Sequence, residues 1–228
     1  MISSVVVPNN VTIIGDYAFE NCKDISNIVL PDSVNSIGIG VFAGCSNLTN
    51  IVLSNGITDV RSGVFSGCIS LTSIIIPDSV KIICSCAFGE SLVNCHPACT
   101  SLTEIIIPNG VTHIDSEAFY GCLNLTIVTI PDSIIYIGSS AFKGCKNLQE
   151  IVMSENTMER IFMNYEMQLG LENIPFGRKL NNLIKMKSKR EEEAKHKQIQ
   201  EWKAQGRCEY CGGEYSIFGK CKSCGSKR

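Results

Sequence analysis

The sequence contains no run of apolar residues near the roughly 18 that a membrane-spanning helix needs. Its N-terminus lacks the succession of charged stretch, apolar stretch and small-residue site that marks an export signal. Charge is sparse, at 18% of residues with a net of only −2. Ile, Val, Leu and Phe are too frequent for disorder over most of the length. Chemistry-bearing constellations are scarce as well. The three histidines, His96, His113 and His196, are scattered, and no nucleophile with a base, phosphate-binding loop or carboxylate pair is visible. The expectation is a soluble, cytoplasmic, non-enzymatic chain or a piece of a longer one, with Met1 left open as the true start. An exported, cell-surface form is the alternative.

The small net charge hides a split. Residues 1–176 hold 6 Lys/Arg against 16 Asp/Glu, a net of −10, whereas 177–228 hold 14 against 6, a net of +8. Two regions of opposite electrostatic character are joined in 228 residues, a length for one or two domains.

A 23-residue period organises the first two thirds. Phe19, Phe42, Phe65 and Phe88 keep that stride, as do Phe119 and Phe142 after a step of 31. Cys22, Cys45, Cys68, Cys99, Cys122 and Cys145 share the register, which places an eight-residue insertion between Phe88 and Cys99, at about 89–98. Such a period with fixed Leu/Ile positions indicates stacked coils, each burying its apolar residues on its neighbours. The unit reads Leu-Thr-x-Ile-x-Ile-Pro-Asp-Ser-Val-x-x-Ile-Gly-x-x-Ala-Phe-x-Gly-Cys-x-Asn. Leu71–Ile76 alternates and is β-branched, so it is expected to be a short strand, with Leu71, Ile74 and Ile76 inward and Ile75 outward. Pro77-Asp78-Ser79 and its equivalents turn the chain. Ile37, Ile82, Ile114, Ile137 and the Phe column then return to the core. Gly44, Gly67, Gly121 and Gly144 supply the next turn. The polar column Asp24, Asn47, Ser70, Ser101, Asn124 and Asn147 is expected to bond turn or adjacent-coil backbone. The cysteines of the repeat are expected to be reduced, buried thiols.

These units, with IPDSV, IGSSAFKGCKNL and LTEIIIP at a 23-residue stride, resemble the BspA-like, or Treponema-type, leucine-rich repeats over about residues 2–154. Departures are Ser54 at the Pro position, Arg61, Cys84 and Asp115 at a Gly position, and the insertion. The resemblance implies a bacterial repeat solenoid, with short parallel strands on a concave face and a mostly irregular convex side. It also implies use in binding proteins or host surfaces rather than in chemistry.

The outward strand column, Val6, Val29, Val52, Ile75, Ile106, Thr129 and Val152, is the candidate partner-binding surface. It is flanked by Asn27, Asn50, Ser73, Glu104, Ile127 and Glu150. An apolar stripe rimmed by polar groups suits a protein or peptide partner, although β-branched residues also suit strands on either face. Near the insertion, Cys84, Cys86, Cys95, His96 and Cys99 raise a second metal site as an open alternative to a surface loop.

The repeat fails after Met153. Met158, Ile161, Phe162, Tyr165 and Leu169 form one helical face, so 155–176 is expected to be a helical cap over the last coil. Residues 177–205 read as a polar helical spacer, with Glu191–Lys195 and Glu193–Lys197 in i,i+4 order. The final segment, 206–228, contains Cys208-x-x-Cys211 and Cys221-x-x-Cys224, two knuckles that can close a tetrahedral, structural Zn²⁺ site in a small β-ribbon. Iron is the minor alternative. The ribbon would make a second contact, and the basic C-terminal region would instead serve a nucleic-acid-associated adaptor in the runner-up reading.

Overall fold

The computed structural model describes residues 4–90 and 96–163, and in the tail 189, 192–205, 207, 211, 214 and 222–224. The chain forms two compact units, Met1–Arg178 and Lys179–Arg228. The first is a parallel β-solenoid of about six turns.

Every coil is built by the same local physics. A three-residue strand turns its outer residues toward solvent and its centre inward, the centre being buried in all but the first, where Val5 is half-buried. Examples are β1 (Ser4–Val6), β3 (Asn27–Val29), β5 (Asn50–Val52), β8 (Glu104–Ile106), β10 (Ile127–Thr129) and β12 (Glu150–Val152). A turn follows, and then a two-residue strand whose second residue is buried. These are β2 (Ile13–Ile14), β4 (Ser36–Ile37), β6 (Asp59–Val60), β7 (Ile82–Ile83), β9 (His113–Ile114) and β11 (Tyr136–Ile137). All pairings are parallel and join residues one coil apart, such as Ile28 with Ile51 and Val128 with Ile151.

The buried residue of the second strand is Ile83, fully covered, whereas Ile82 is only half-buried. The expectation for Ile82 is therefore one residue out of register. Val60 and Ile83 are the members of the column that contains Ile37, Ile114 and Ile137, because alternation puts neighbours on opposite faces.

Parallel strands repeat at about 4.8 Å, and that spacing carries the phenylalanines into a stack. Successive ring centroids from Phe19 to Phe142 lie 5.6, 5.8, 5.1, 5.1 and 5.3 Å apart, with interplanar angles of 2°, 9°, 21°, 5° and 3°. Rings from Phe42 onward are fully buried, each contributing about 1.5–3 kcal/mol by area alone.

The insertion leaves the stack undisturbed. In ordinary coils the Cys N–H donates to the Phe carbonyl three residues earlier, as Cys68 does to Phe65 at 3.0 Å. Cys99 makes the same bond to Phe88, eleven residues back, at 2.9 Å. The register of the coils resumes at Cys99.

Two columns of left-handed backbone turn each coil. One contains Gly44, Gly67, Gly121 and Gly144, as expected, joined by Asn21. The other runs through Tyr17, Gly40, Gly63, Cys86, Glu117 and Ser140 at φ between 54° and 66°. Its mixed composition shows that coil geometry, rather than residue preference, sets the conformation there.

The cap begins where the proline column ends. Ser154 occupies the position of Pro131 one coil later, and its hydroxyl accepts the Thr157 N–H at 3.2 Å, starting α1 (Glu155–Met163). Ser154 and Thr157 both donate hydroxyl protons to Asp132, and Arg160 donates to the Asp132 and Ile134 carbonyls at 2.6 and 2.7 Å. Thr157 and Ile161 are buried. Observed helix accounts for 155–163 of the expected cap; 164–176, with Tyr165 and Leu169, lies outside the described residues.

Candidate docking face and cysteine clusters

The first ladder displays the outward column that the sequence marks. Val29, Val52, Ile75, Ile106 and Val152 are exposed, Thr129 is half-buried, and Asn50, Ser73, Glu104 and Glu150 are exposed beside them, with Ile127 half-buried. The central residue of each strand from β3 onward is buried, so the apolar stripe is a surface feature rather than core.

The ladder is interrupted in one place. Strands β1, β3 and β5 form one sheet and β8, β10 and β12 another, and the intervening segment of coil 4, Ser73–Ile75, pairs with neither. After β3, β8 and β10 the next residue donates to the following coil, Leu30 to Val52 at 2.9 Å, Ile107 to Thr129 at 3.0 Å and Ile130 to Val152 at 2.8 Å. Among the described residues the equivalent bonds from Val7, Leu53 and Ile76 are not formed, and coils 4 and 5 are bridged on this side by Thr103, whose N–H and hydroxyl both donate to the Thr72 carbonyl, at 3.1 and 3.3 Å. The expected strand Leu71–Ile76 thus has the predicted side-chain alternation without the ladder. A groove of about 630 Å³ opens beside it, lined by Ser73, Ile75, Ile76, Glu104, Ile106 and Thr129 among others.

The cysteine column forms a second kind of ladder, which the sequence does not disclose. Cys45, Cys68, Cys99, Cys122 and Cys145 donate their thiol protons to the carbonyls of Phe19, Phe42, Phe65, Phe88 and Phe119 at 3.0–3.4 Å. All are unpaired and buried. Desolvation pushes Cys45 and Cys145 up to about 12 and holds the other three well above the ordinary thiol value, so these are packing groups, not nucleophiles.

The residues raised as a second metal site separate. Cys99 is turned to the Phe65 carbonyl, Cys86 faces the Glu117 carboxylate at 3.7 Å, and His96 lies 3.2 Å from Glu20. Cys84 and Cys86 are pushed up to about 11, chiefly by burial. Cys95 lies outside the described residues, among which no three His, Cys, Asp or Glu side chains cluster for a metal. In the polar column, the side-chain bond formed among the described residues is Asn147 to Asn124 at 3.2 Å, between side chains rather than to backbone.

In the second unit a helix runs through 192–204, with Glu193 paired to Lys189 at 3.9 Å rather than to Lys197. Glu191, of the other expected pair, lies outside the described residues. Arg207 and Glu214, which flank the first cysteine knuckle, form an antiparallel bridge. Lys222 N–H donates to the Glu214 carbonyl at 2.9 Å, pinning the second knuckle to the same residue. Cys211 and Cys224 are exposed; Cys208 and Cys221 lie outside the described residues.

The family model for the BspA type leucine rich repeat region matches residues 1–94 and 93–187. The chain belongs to this family. A solved leucine-rich repeat protein of T. pallidum is similar to this BspA-type chain at 30% identity and a TM-score of 0.57, covering 65% of it and 68% of the Treponema chain. One from Bacteroides ovatus matches at 33% identity and 0.61, over 68% of this chain and 40% of its own. A third, from Eubacterium ventriosum, shares the fold at 21% identity and 0.55, covering 67% of this chain and 44% of its own. No curated protein matches. Leucine-rich repeat proteins are in general binding scaffolds without catalysis, and protein is their typical partner. No helix among the described residues is long and apolar enough to cross a membrane.

Proposed function

We propose that this BspA-type chain is a non-enzymatic docking module whose first ladder binds a protein or peptide partner. The observation that carries the reading is the exposed column Val29, Val52, Ile75, Ile106 and Val152, held at one-coil intervals by an otherwise rigid, fully packed solenoid. Apolar area on such a stripe supplies affinity, and the polar flank Asn50, Ser73, Glu104, Glu150 supplies orientation. Panning a displayed random-peptide library against the full chain tests this. Selected peptides should lose binding to a Val29→Lys/Ile106→Lys variant and keep it for Ile135→Lys, an exposed site beside the second ladder. Binders indifferent to the first variant, or none at all, would refute the reading.

The same proposal gives the tail one structural Zn²⁺ held by Cys208, Cys211, Cys221 and Cys224. The bridge of Arg207 to Glu214 and the bond of Lys222 to Glu214 support it, since both bring the flanks of the two knuckles to one point. Bound there, the ion would supply folding free energy and a closed coordination shell. The ribbon is then a second contact point, and joining it to the ladder raises avidity by tethering. The unpaired thiols of the solenoid support a reducing, cytoplasmic setting for this reading.

A further inference from the structure

We propose that the groove beside Ser73–Ile76 seats an extended partner segment of alternating apolar and basic residues, docked across the outward face of coils 4 and 5. This rests on the docking-face reading and adds the place, the mode and the charge of the occupant.

The main chain gives the first reason. Ser73–Ile76 has the sequence of a strand and buries Ile74 and Ile76 as its neighbours bury theirs, yet its amides and carbonyls stay out of the ladder on both sides. Backbone donors and acceptors outside a ladder must be satisfied by water or by a ligand. Coils 3 and 5 occupy both sides of this segment in the stack, so an occupant lies across the outward face, where its polar side chains can bond these groups.

The side chains give the second. Ile75 is 85% exposed, against 49% for Val52 and 59% for Ile106 in the same column. It stands clear of its neighbours and, with Ile106, offers apolar contact at the mouth of the groove of about 630 Å³.

Charge selects the occupant. Among the described residues, the ionised groups lining the groove are Asp78 and Glu104. Glu150 lies further along the flank. No Lys or Arg occupies either ladder column; Lys23, Arg61, Lys81, Lys143 and Lys146 are elsewhere in the coils. A polyanion or an anionic membrane would meet the wrong sign here, whereas lysines of an extended peptide reach Glu104 and Asp78 while its apolar residues lie on Ile75 and Ile106.

The test uses the full chain with two labelled octapeptides, four Lys-Val repeats and four Glu-Val repeats, followed by fluorescence anisotropy and amide hydrogen exchange. The Lys-Val peptide should bind about tenfold or more tightly than Glu-Val. Ile75→Lys and Glu104→Lys should each weaken it about tenfold, Ile135→Lys should leave it unchanged, and the Ile74–Ile76 amides should gain protection. Equal binding of both peptides, equal loss with Ile135→Lys, or absence of protection at Ile74–Ile76 would overturn the proposal while leaving the ladder as a docking face. Failure of both peptides to bind would also overturn it. The docking-face reading is judged separately, by the library-selected binders.

Discussion

The Cys99 thiol donates to the Phe65 carbonyl at 3.0 Å, from a residue with no exposed surface. Four further thiols repeat this bond along the solenoid, so the cysteine column is hydrogen-bonded and desolvated together. Their folded-state values lie above the unfolded value of 9.0. The stability they confer as neutral thiols is complete below pH 9 and is lost as pH rises toward 12. Each fully buried thiol removes about 1.4 kcal/mol per pH unit in that window. Urea midpoints should therefore be flat from pH 7 to 8.5 and fall steeply above 9, with a shallower fall in Cys68→Ala/Cys99→Ala.

Gly40 and Gly63 occupy the same left-handed column, at φ of 60° and 66°, but in different surroundings. A Cβ on Gly63 meets nothing within 4 Å, while one on Gly40 lies 2.5 Å from the Tyr17 ring. Gly63→Ala should destabilise by about 1–2 kcal/mol, the backbone strain alone. Gly40→Ala should lose more, and Tyr17→Ala in the same chain should recover the excess. Chemical denaturation of the variants reads both effects.

Asp132 collects the Ser154 and Thr157 hydroxyls, and these bonds, followed by the nearby Arg160 charge, hold its carboxyl below the ordinary value of 3.8. A lowered value stabilises the cap above pH 3.8 and is lost as pH falls through the folded-state value. Thr157→Val should lower the urea midpoint at neutral pH, since it withdraws a buried hydroxyl from the Asp132 carboxylate. Asp132→Asn should show a weaker acid dependence than the parent, measured as urea midpoints at pH 7 and pH 3.

Elemental analysis of the full chain should find one zinc, lost in Cys211→Ser and in Cys224→Ser. Strong chelation should leave the thermal transition of the solenoid in place, because no residue of the proposed site lies within the coils. Absence of zinc at full occupancy of the thiols would refute the ribbon.

Much of the solenoid is legible from periodicity, because every coil repeats one solution to one packing problem. Phe65, Cys68 and Leu71 recur where the core needs them, and the insertion is visible because Cys99 is displaced with Phe119. The parts that escape are those where geometry overrides residue type. Cys86, Glu117 and Ser140 adopt left-handed backbone with no glycine to announce it. Ile82 and Ile83 are equally apolar, and only the ladder decides which is buried. Likewise, LTSIII reads as the most regular strand of all, yet Ser73–Ile75 is where the ladder parts, since hydrogen-bond register is not written in side-chain alternation.

The central claim is that the first ladder is the docking face. Its most direct test is the amide hydrogen-exchange footprint of a library-selected peptide on the full chain. Protection should gather along β3, β5 and β8 and the intervening Ser73–Ile76, with the second ladder unchanged. Protection confined to the second ladder or to 177–228 would contradict it.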